Sequence, residues 1–144
     1  MKISTKGRYA LRMMVDIAQN DNGDPVRIKD ISARQEISLK YLEQIVTLLV
    51  RAGYLRSVRG PQGGYHLSRK PSEYVVGDIL RVTEGSLVPV ECLVDEENQC
   101  ERASTCVTLR LWKELNQAIE SVVDKYTLQD LLDWSEEMAD NYVI

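Results

Sequence analysis

Residues 36–67 read EISLKYLEQIVTLLVRAGYLRSVRGPQGGYHL. A three-residue break, Glu36-Ile37-Ser38, leads into a segment whose Leu39, Leu42, Ile45, Val46 and Leu49 recur at helical spacing. Ser38 is a natural N-cap for that helix, and Gly53 stops it at a position that favours left-handed backbone. The opposite face carries Lys40, Tyr41, Glu43, Gln44 and Thr47. Two short strands, 54–58 and 64–67, then flank the loop Arg59-Gly60-Pro61-Gln62-Gly63.

Outward from this stretch the pattern stays helical. Ser4 or Thr5 can cap a first helix running to about Asn20, with Tyr9, Leu11, Met14, Val15, Ile17 and Ala18 apolar. The turn cluster at 20–24 ends it, residues 26–28 are extended, and 29–35 form a short helix. Downstream, Pro71 closes the hairpin unit, 76–84 is helical and 87–90 extended. A long helix is expected over 104–125, with Leu111, Trp112, Leu115, Ile119, Val122 and Val123 in one stripe, and Thr127 caps a last helix over 128–138.

Helix, short strand, helix, tight turn, helix and hairpin is the order of a winged helix-turn-helix. The fold class is mainly α with a small β-hairpin wing, followed by a long C-terminal helix. Three parts follow: a DNA-binding domain at 1–70, a connecting helix and cysteine loop at 71–103, and the long helix and C-terminal helix at 104–144.

Charge divides along the same boundary. Residues 1–70 hold 13 Lys and Arg against 6 Asp and Glu, a formal +7, whereas 71–144 hold 5 against 16, a formal −11. The basic half suits a polyanion, nucleic acid being the commonest, although mutual attraction of the halves is an alternative. With 144 residues, 44% of them hydrophobic and 28% charged, the chain can bury a core without disulfides. No apolar run approaches the ~20 residues that span a bilayer, and the first residues lack the apolar stretch of a secretory signal, so the expected location is the cytoplasm.

In a helix-turn-helix the first turn of the second helix reaches base edges. Here that places Ser38, Lys40, Tyr41 and Gln44 on double-stranded DNA: Gln44 can pair with adenine, Lys40 can reach guanine or phosphate, and Tyr41 can hold a phosphate or a thymine methyl. Glu43 repels phosphate but accepts from cytosine N4, which would restrict the permitted sequence. The alternative is an ordinary solvated face. In the wing, Arg59 on a slim loop with Pro61, Gln62 and Gly63 suits a narrow minor groove. The single histidine, His66, reads as a strand-face residue or a phosphate contact.

Cys92, Cys100 and Cys106 are the three cysteines and cannot pair off internally. A metal or redox site, zinc included, and a metal-free buried loop are both open on the residues alone. One histidine leaves no Ser/His/Asp or Cys/His set beyond it, and no glycine motif opens a helix to cradle phosphate, so an enzyme is not indicated and no small-molecule substrate is expected.

The opening ISTKGRYAL, the helix ISLKYLEQIVTLLVRAGYL, the wing SVRGPQGGYHL and three cysteines ahead of TLRLWKELNQAI resemble the bacterial IscR-type regulators. That resemblance implies a homodimeric winged-helix regulator, in the simplest case a repressor, that reads a pseudo-palindromic operator, with the long helix of 104–144 as its dimerisation helix, which the apolar stripe around Trp112 and Ile119 fits. It further implies a 2Fe–2S cluster on Cys92, Cys100 and Cys106 as the sensor, and control of iron–sulfur cluster biogenesis genes. Its wider family includes sensors of nitric oxide and of cysteine supply. The chain departs from the pattern in two places: Leu109 stands where a histidine often follows the last cysteine, and Arg8 stands where other members borrow a partner carboxylate. The fourth ligand is therefore open among Asp95, Glu96, Glu97, Glu101, an exogenous group, and Glu43, which would tie cluster occupancy to groove contacts. From a different class, an iron–sulfur redox carrier would have no use for the basic half and its wing.

Overall fold

The computed structural model describes residues 2–142. The outer ends of the first and third expected parts, residues 1, 143 and 144, lie outside them. Six helices and one two-stranded sheet follow in the order α1 (Thr5–Asn20), α2 (Ile28–Gln35), α3 (Leu39–Arg51), β1 (Leu55–Val58), β2 (Gly64–Leu67), α4 (Val76–Glu84), α5 (Leu109–Val123) and α6 (Leu128–Tyr142). This is the mainly helical fold with a hairpin wing that the sequence implies.

Capping fixes where α1 and α3 begin, whereas the residue before α2, Arg27, makes no side-chain cap bond. The Ser4 hydroxyl accepts from the Gly7 N–H at 3.3 Å, and the Ser38 hydroxyl accepts from the Tyr41 N–H at 3.2 Å. The turn between α2 and α3 passes through Glu36 in the left-handed region (φ 56°), and the Ser32 hydroxyl donates to the Ile37 carbonyl at 2.6 Å. Gly53 (φ 79°) ends α3 as its position predicts.

The core lies between α1, α2, α3 and α4, around Met13, Met14, Ile17, Ile31, Leu42, Ile45, Leu49 and Ile79, with Leu128 entering from α6. On α1 the innermost residues are Ala10, Met13, Met14 and Ile17, while Tyr9, Leu11, Val15 and Ala18 pack around them half-buried. The hairpin pairs Leu55 with Leu67 through Val58 with Gly64. Val26 extends it, exchanging two backbone hydrogen bonds of 2.9 Å with Tyr65. Gly64 is required there, because a Cβ on it would stand 2.4 Å from the Val26 carbonyl oxygen.

Two polar side chains are buried in this core. Asp16, only 1% exposed, accepts from Arg34 Nη2 at 2.7 Å, Arg34 Nε at 3.0 Å and Gln35 Nε2 at 2.9 Å. Its three charge-assisted hydrogen bonds fasten α2 to α1. Tyr74, also buried, donates to the Tyr54 carbonyl at 2.7 Å and accepts from the Ser68 and Arg69 amides at 2.8 and 3.2 Å. One hydroxyl thus holds both ends of the hairpin.

The C-terminal elements attach through α4 and the segment leading into it, and α6 also meets α1, where Gln19 Nε2 donates to the Ser135 hydroxyl at 2.7 Å. Val76 N–H donates to the Tyr126 carbonyl and Leu128 N–H to the Tyr74 carbonyl, both at 2.9 Å. Thr127 and Asp130 form a reciprocal cap on α6. Arg81 on α4 grips Asp124, just past α5, with bonds of 2.7 and 2.9 Å. Gly77 makes room for that pair, since a Cβ there would lie 2.1 Å from Asp124 Oδ1.

Three boundaries differ from the sequence reading. The long helix starts at Leu109 rather than 104, because 101–108 forms turns in which the Thr105 hydroxyl competes for the Arg102 carbonyl. Residues 87–90 gain no strand partner among the described residues. The last helix continues past Met138 to Tyr142.

Asp16 and Arg34 are unequal partners, because the Arg34 side chain is 39% exposed. Arg34→Ala leaves a buried carboxylate short of a cation and should cost about 3–5 kcal/mol. Asp16→Ala leaves a guanidinium free to turn to water and should cost less, about 1.5–3 kcal/mol. Urea denaturation of both variants checks the order.

Candidate nucleic-acid interface and cysteine loop

The candidate recognition surface is set by how α3 is buried. Leu42, Ile45, Val46 and Leu49 face the core, which leaves Ser38, Lys40, Glu43, Gln44 and Thr47 exposed in one row. Lys40 and Gln44 sit one turn apart, so both can reach the same groove. Tyr41 differs from its neighbours. Its ring is half-buried and meets Tyr9 edge-on at 5.7 Å between centroids, so α1 orients it. Arg12 stands over Tyr9 at 5.2 Å and bonds Gln35, both at Oε1 and at its carbonyl.

The wing loop between β1 and β2 is exposed at Arg59, Gly60, Pro61 and Gln62. Gly60 has φ 107°, and Gly63 donates its N–H to the Gly60 carbonyl at 2.9 Å, which closes a tight turn. A Cβ on Gly63 would meet the Val58 carbonyl at 2.2 Å. The loop is therefore narrow for a backbone reason, and Arg59 projects from a slim edge. Gln62 does not stand alone: its Oε1 accepts from Arg27 Nη2 at 2.8 Å. His66 lies on the strand face, with Nδ1 3.3 Å from both carboxylate oxygens of Asp21.

The cysteine loop joins α4 to α5. Cys92 and Cys106 are half-buried, Cys100 is exposed, and all three are free thiols. The Thr108 hydroxyl, 3.3 Å from Cys106 Sγ, is the main cause holding that thiol below its ordinary pKa. Asn98 Oδ1 accepts from the Cys100 amide at 2.8 Å, whereas Asn98 Nδ2 is shielded from water without a partner. Thiols are the donor type that irons of an iron–sulfur cluster take. The donor type therefore fits, but the thiols do not converge here: among the described residues no three of His, Cys, Asp and Glu stand together as a metal-holding group, and Glu43 lies out on the exposed face of α3.

Beyond the loop, α5 buries no residue, and Leu111 and Val122 are each more than half exposed. Ile119, Val122 and Val123 line one wall of a groove of about 610 Å³, and Ile3, Leu87, Val88 and Pro89 line the other. No helix is long and apolar enough to cross a membrane among the described residues.

Sequence reasoning did not find Asp16, Tyr74 or Arg27. Asp16 sits next to the apolar Val15 and Ile17 of α1, and that placement was the available signal. Tyr74 and Arg27 carry no comparable mark.

Residues 3–134 match the Rrf2 family, described as iron-dependent transcriptional regulators. The protein rrf2 of Nitratidesulfovibrio vulgaris is 44% identical over 133 residues, which are 92% of this chain and 87% of that one. Among solved structures, IscR of T. potens matches with a TM-score of 0.77 at 43% identity, covering 96% of this chain and 90% of that chain. CymR, the global cysteine regulator of B. subtilis, matches with a TM-score of 0.76 at 41% identity, covering 93% and 98%.

Two outcomes follow from this geometry. Arg59→Ala should weaken binding to a preferred duplex by about 1–3 kcal/mol, measured by fluorescence anisotropy. Arg81 holds the Asp124 carboxyl below the usual carboxylate range. The resulting stability is present above an ordinary carboxyl pKa of ~3.9 and is lost as pH falls through the lower folded value. Urea midpoints from pH 5 down to about pH 2 should therefore fall more steeply for the unsubstituted chain than for Asp124→Asn, with a difference below about 1 kcal/mol because both partners are solvated.

Proposed function

Because the chain belongs to the Rrf2 family of iron-dependent transcriptional regulators, we propose that it is a homodimeric repressor of the cytoplasm that binds double-stranded DNA and senses iron–sulfur cluster status. The observation that carries the DNA reading is the exposed row of Ser38, Lys40 and Gln44 on a capped helix, in the half of formal charge +7 that also carries the Arg59 wing. Gln44 and Lys40 read base edges in the major groove, Ser38 and Tyr41 hold the backbone, and Arg59 enters the minor groove with Pro61, Gln62 and Gly63 shaping its support.

The unburied apolar stripe of α5 is the dimer surface. Two-fold symmetry about it would set two recognition helices about 34–36 Å apart on a pseudo-palindromic operator. The regulated genes in this reading are those of iron–sulfur cluster assembly.

The sensor is assigned to Cys92, Cys100 and Cys106, on the strength of three free thiols in the segment that feeds α5 and of the likeness to T. potens IscR. A 2Fe–2S cluster would supply a labile, redox-active centre there. Holding one would require the loop to draw its thiols together, and Glu43 is the candidate fourth ligand from the DNA-reading helix. A second reading, response to cysteine supply, is favoured by the likeness to the cysteine regulator of B. subtilis over 98% of that chain.

Anaerobic purification separates the two. The proposal expects a coloured protein with near-stoichiometric iron and acid-labile sulfide, and loss of the visible absorbance in Cys92→Ala with the dimer intact. A protein still colourless after reconstitution removes the cluster and leaves a winged-helix regulator with another signal.

A further inference from the structure

We propose that Arg27 is a phosphate-contacting residue that registers the wing on the DNA backbone, an inference that rests on the DNA-binding reading above. Arg27 is the N-cap residue of α2 and follows Val26, whose N–H and carbonyl both pair with Tyr65 of β2. Its Nη2 donates to Gln62 Oε1 at 2.8 Å in the wing loop. One exposed side chain thus joins the start of the helix-turn-helix to the loop that carries Arg59.

The charge on this guanidinium is uncommitted. Arg34 and Arg81 face carboxylates, whereas Arg27 is in none of the ion pairs among the described residues, and its hydrogen-bond partner is a neutral amide. A guanidinium has five N–H donors in a rigid fork, and holding Gln62 with one leaves the others charged and turned to solvent. Any duplex engaged by the wing loop lies beside it. Asp30 in the first turn of α2 offsets the field of that helix end, and of the two exposed cations there, Arg27 and Lys29, Arg27 is the one tied to the wing through Gln62. A phosphate oxygen accepting from the remaining donors would fix the guanidinium plane, and through Gln62 would fix the loop beside Arg59. In this arrangement Arg27 contacts the backbone, and Gln62 is a positioning residue that acts through Arg27.

The test uses the full chain purified anaerobically and a duplex that the unsubstituted protein selects from a randomised pool. Affinities of Arg27→Ala, Arg27→Gln, Gln62→Ala and the Arg27→Ala/Gln62→Ala double variant are measured across roughly 0.05–0.3 M KCl. Removing the charge should weaken binding about tenfold at ~0.1 M salt, on the selected and on a random duplex alike. It should also reduce the slope of log K against log salt by about one. Gln62→Ala should lose a few-fold on the selected duplex with its slope unchanged, and the double variant should lose less than the product of the single losses. A thermal melt shows which variants are folded, and Arg27→Gln, which keeps an amide donor for Gln62, serves if Arg27→Ala is not. An unchanged slope in the folded Arg27 variants, or fully multiplicative losses, overturns the assignment while DNA binding by the unsubstituted chain stands. Failure of the unsubstituted chain to bind any duplex brings down the DNA-binding reading itself.

Discussion

The buried carboxylate of Asp16 is the constraint from which the proposed reading surface follows. A charge taken out of water has to be met by donors with good geometry, and here Arg34 and Gln35 at the end of α2 supply them. Gln35 in turn accepts from Arg12, Arg12 covers Tyr9, and Tyr9 meets Tyr41 on the first turn of α3. The chain of contacts therefore runs from the inside of α1 to the exposed start of the recognition helix. Apolar packing alone is non-directional and would let α2 and α3 slide by fractions of a turn. Directional hydrogen bonds at Asp16 remove that freedom where a side chain on DNA could least tolerate it.

The wing is held by a different device. A two-stranded hairpin is marginal by itself, so its position depends on attachments at its base and flank. Val26 adds two backbone hydrogen bonds on the Tyr65 side, and Tyr74 closes the base through one hydroxyl. Glycine at 63 and 64 lets backbone approach backbone at distances no side chain would permit. These contacts make the loop thin and anchor its root, so Arg59 is carried on a held mount with its side chain exposed.

The sequence was most legible where a local rule acts. Ser4, Ser38, Gly53 and the apolar spacing of α3 are signals of capping and periodicity, and those boundaries stand within a residue or two. Legibility failed over 101–108, where the Thr105 hydroxyl bonds the Arg102 carbonyl and α5 is delayed to Leu109. Glu36 shows the opposite failure. A turn is evident there, but glutamate gives no sign of left-handed backbone, which tertiary packing imposes at a local cost. Long-range polar contacts were beyond reach for the same reason: nothing local in Asp16, Tyr74 or Arg27 names the residue it meets 18, 20 or 35 positions away.

Charge separation gives the two halves unequal relations to a duplex. The first 70 residues carry a formal +7 and the remainder −11, so the net −4 describes neither. A polyanion approaching the acidic half is repelled and one approaching the wing and α3 is attracted, which orients encounter before any base is read. Within a Debye length of about 8–10 Å this field acts strongly, and beyond it salt screens it. The same asymmetry separates the jobs of the arginines. Arg34 and Arg81 are neutralised by Asp16 and Asp124 and serve the fold, whereas Arg27 and Arg59 meet no carboxylate among the described residues. Cations left unpaired on the thin edge of a protein whose other half is acidic have little structural use, and their placement together at the wing is what a phosphate backbone would select.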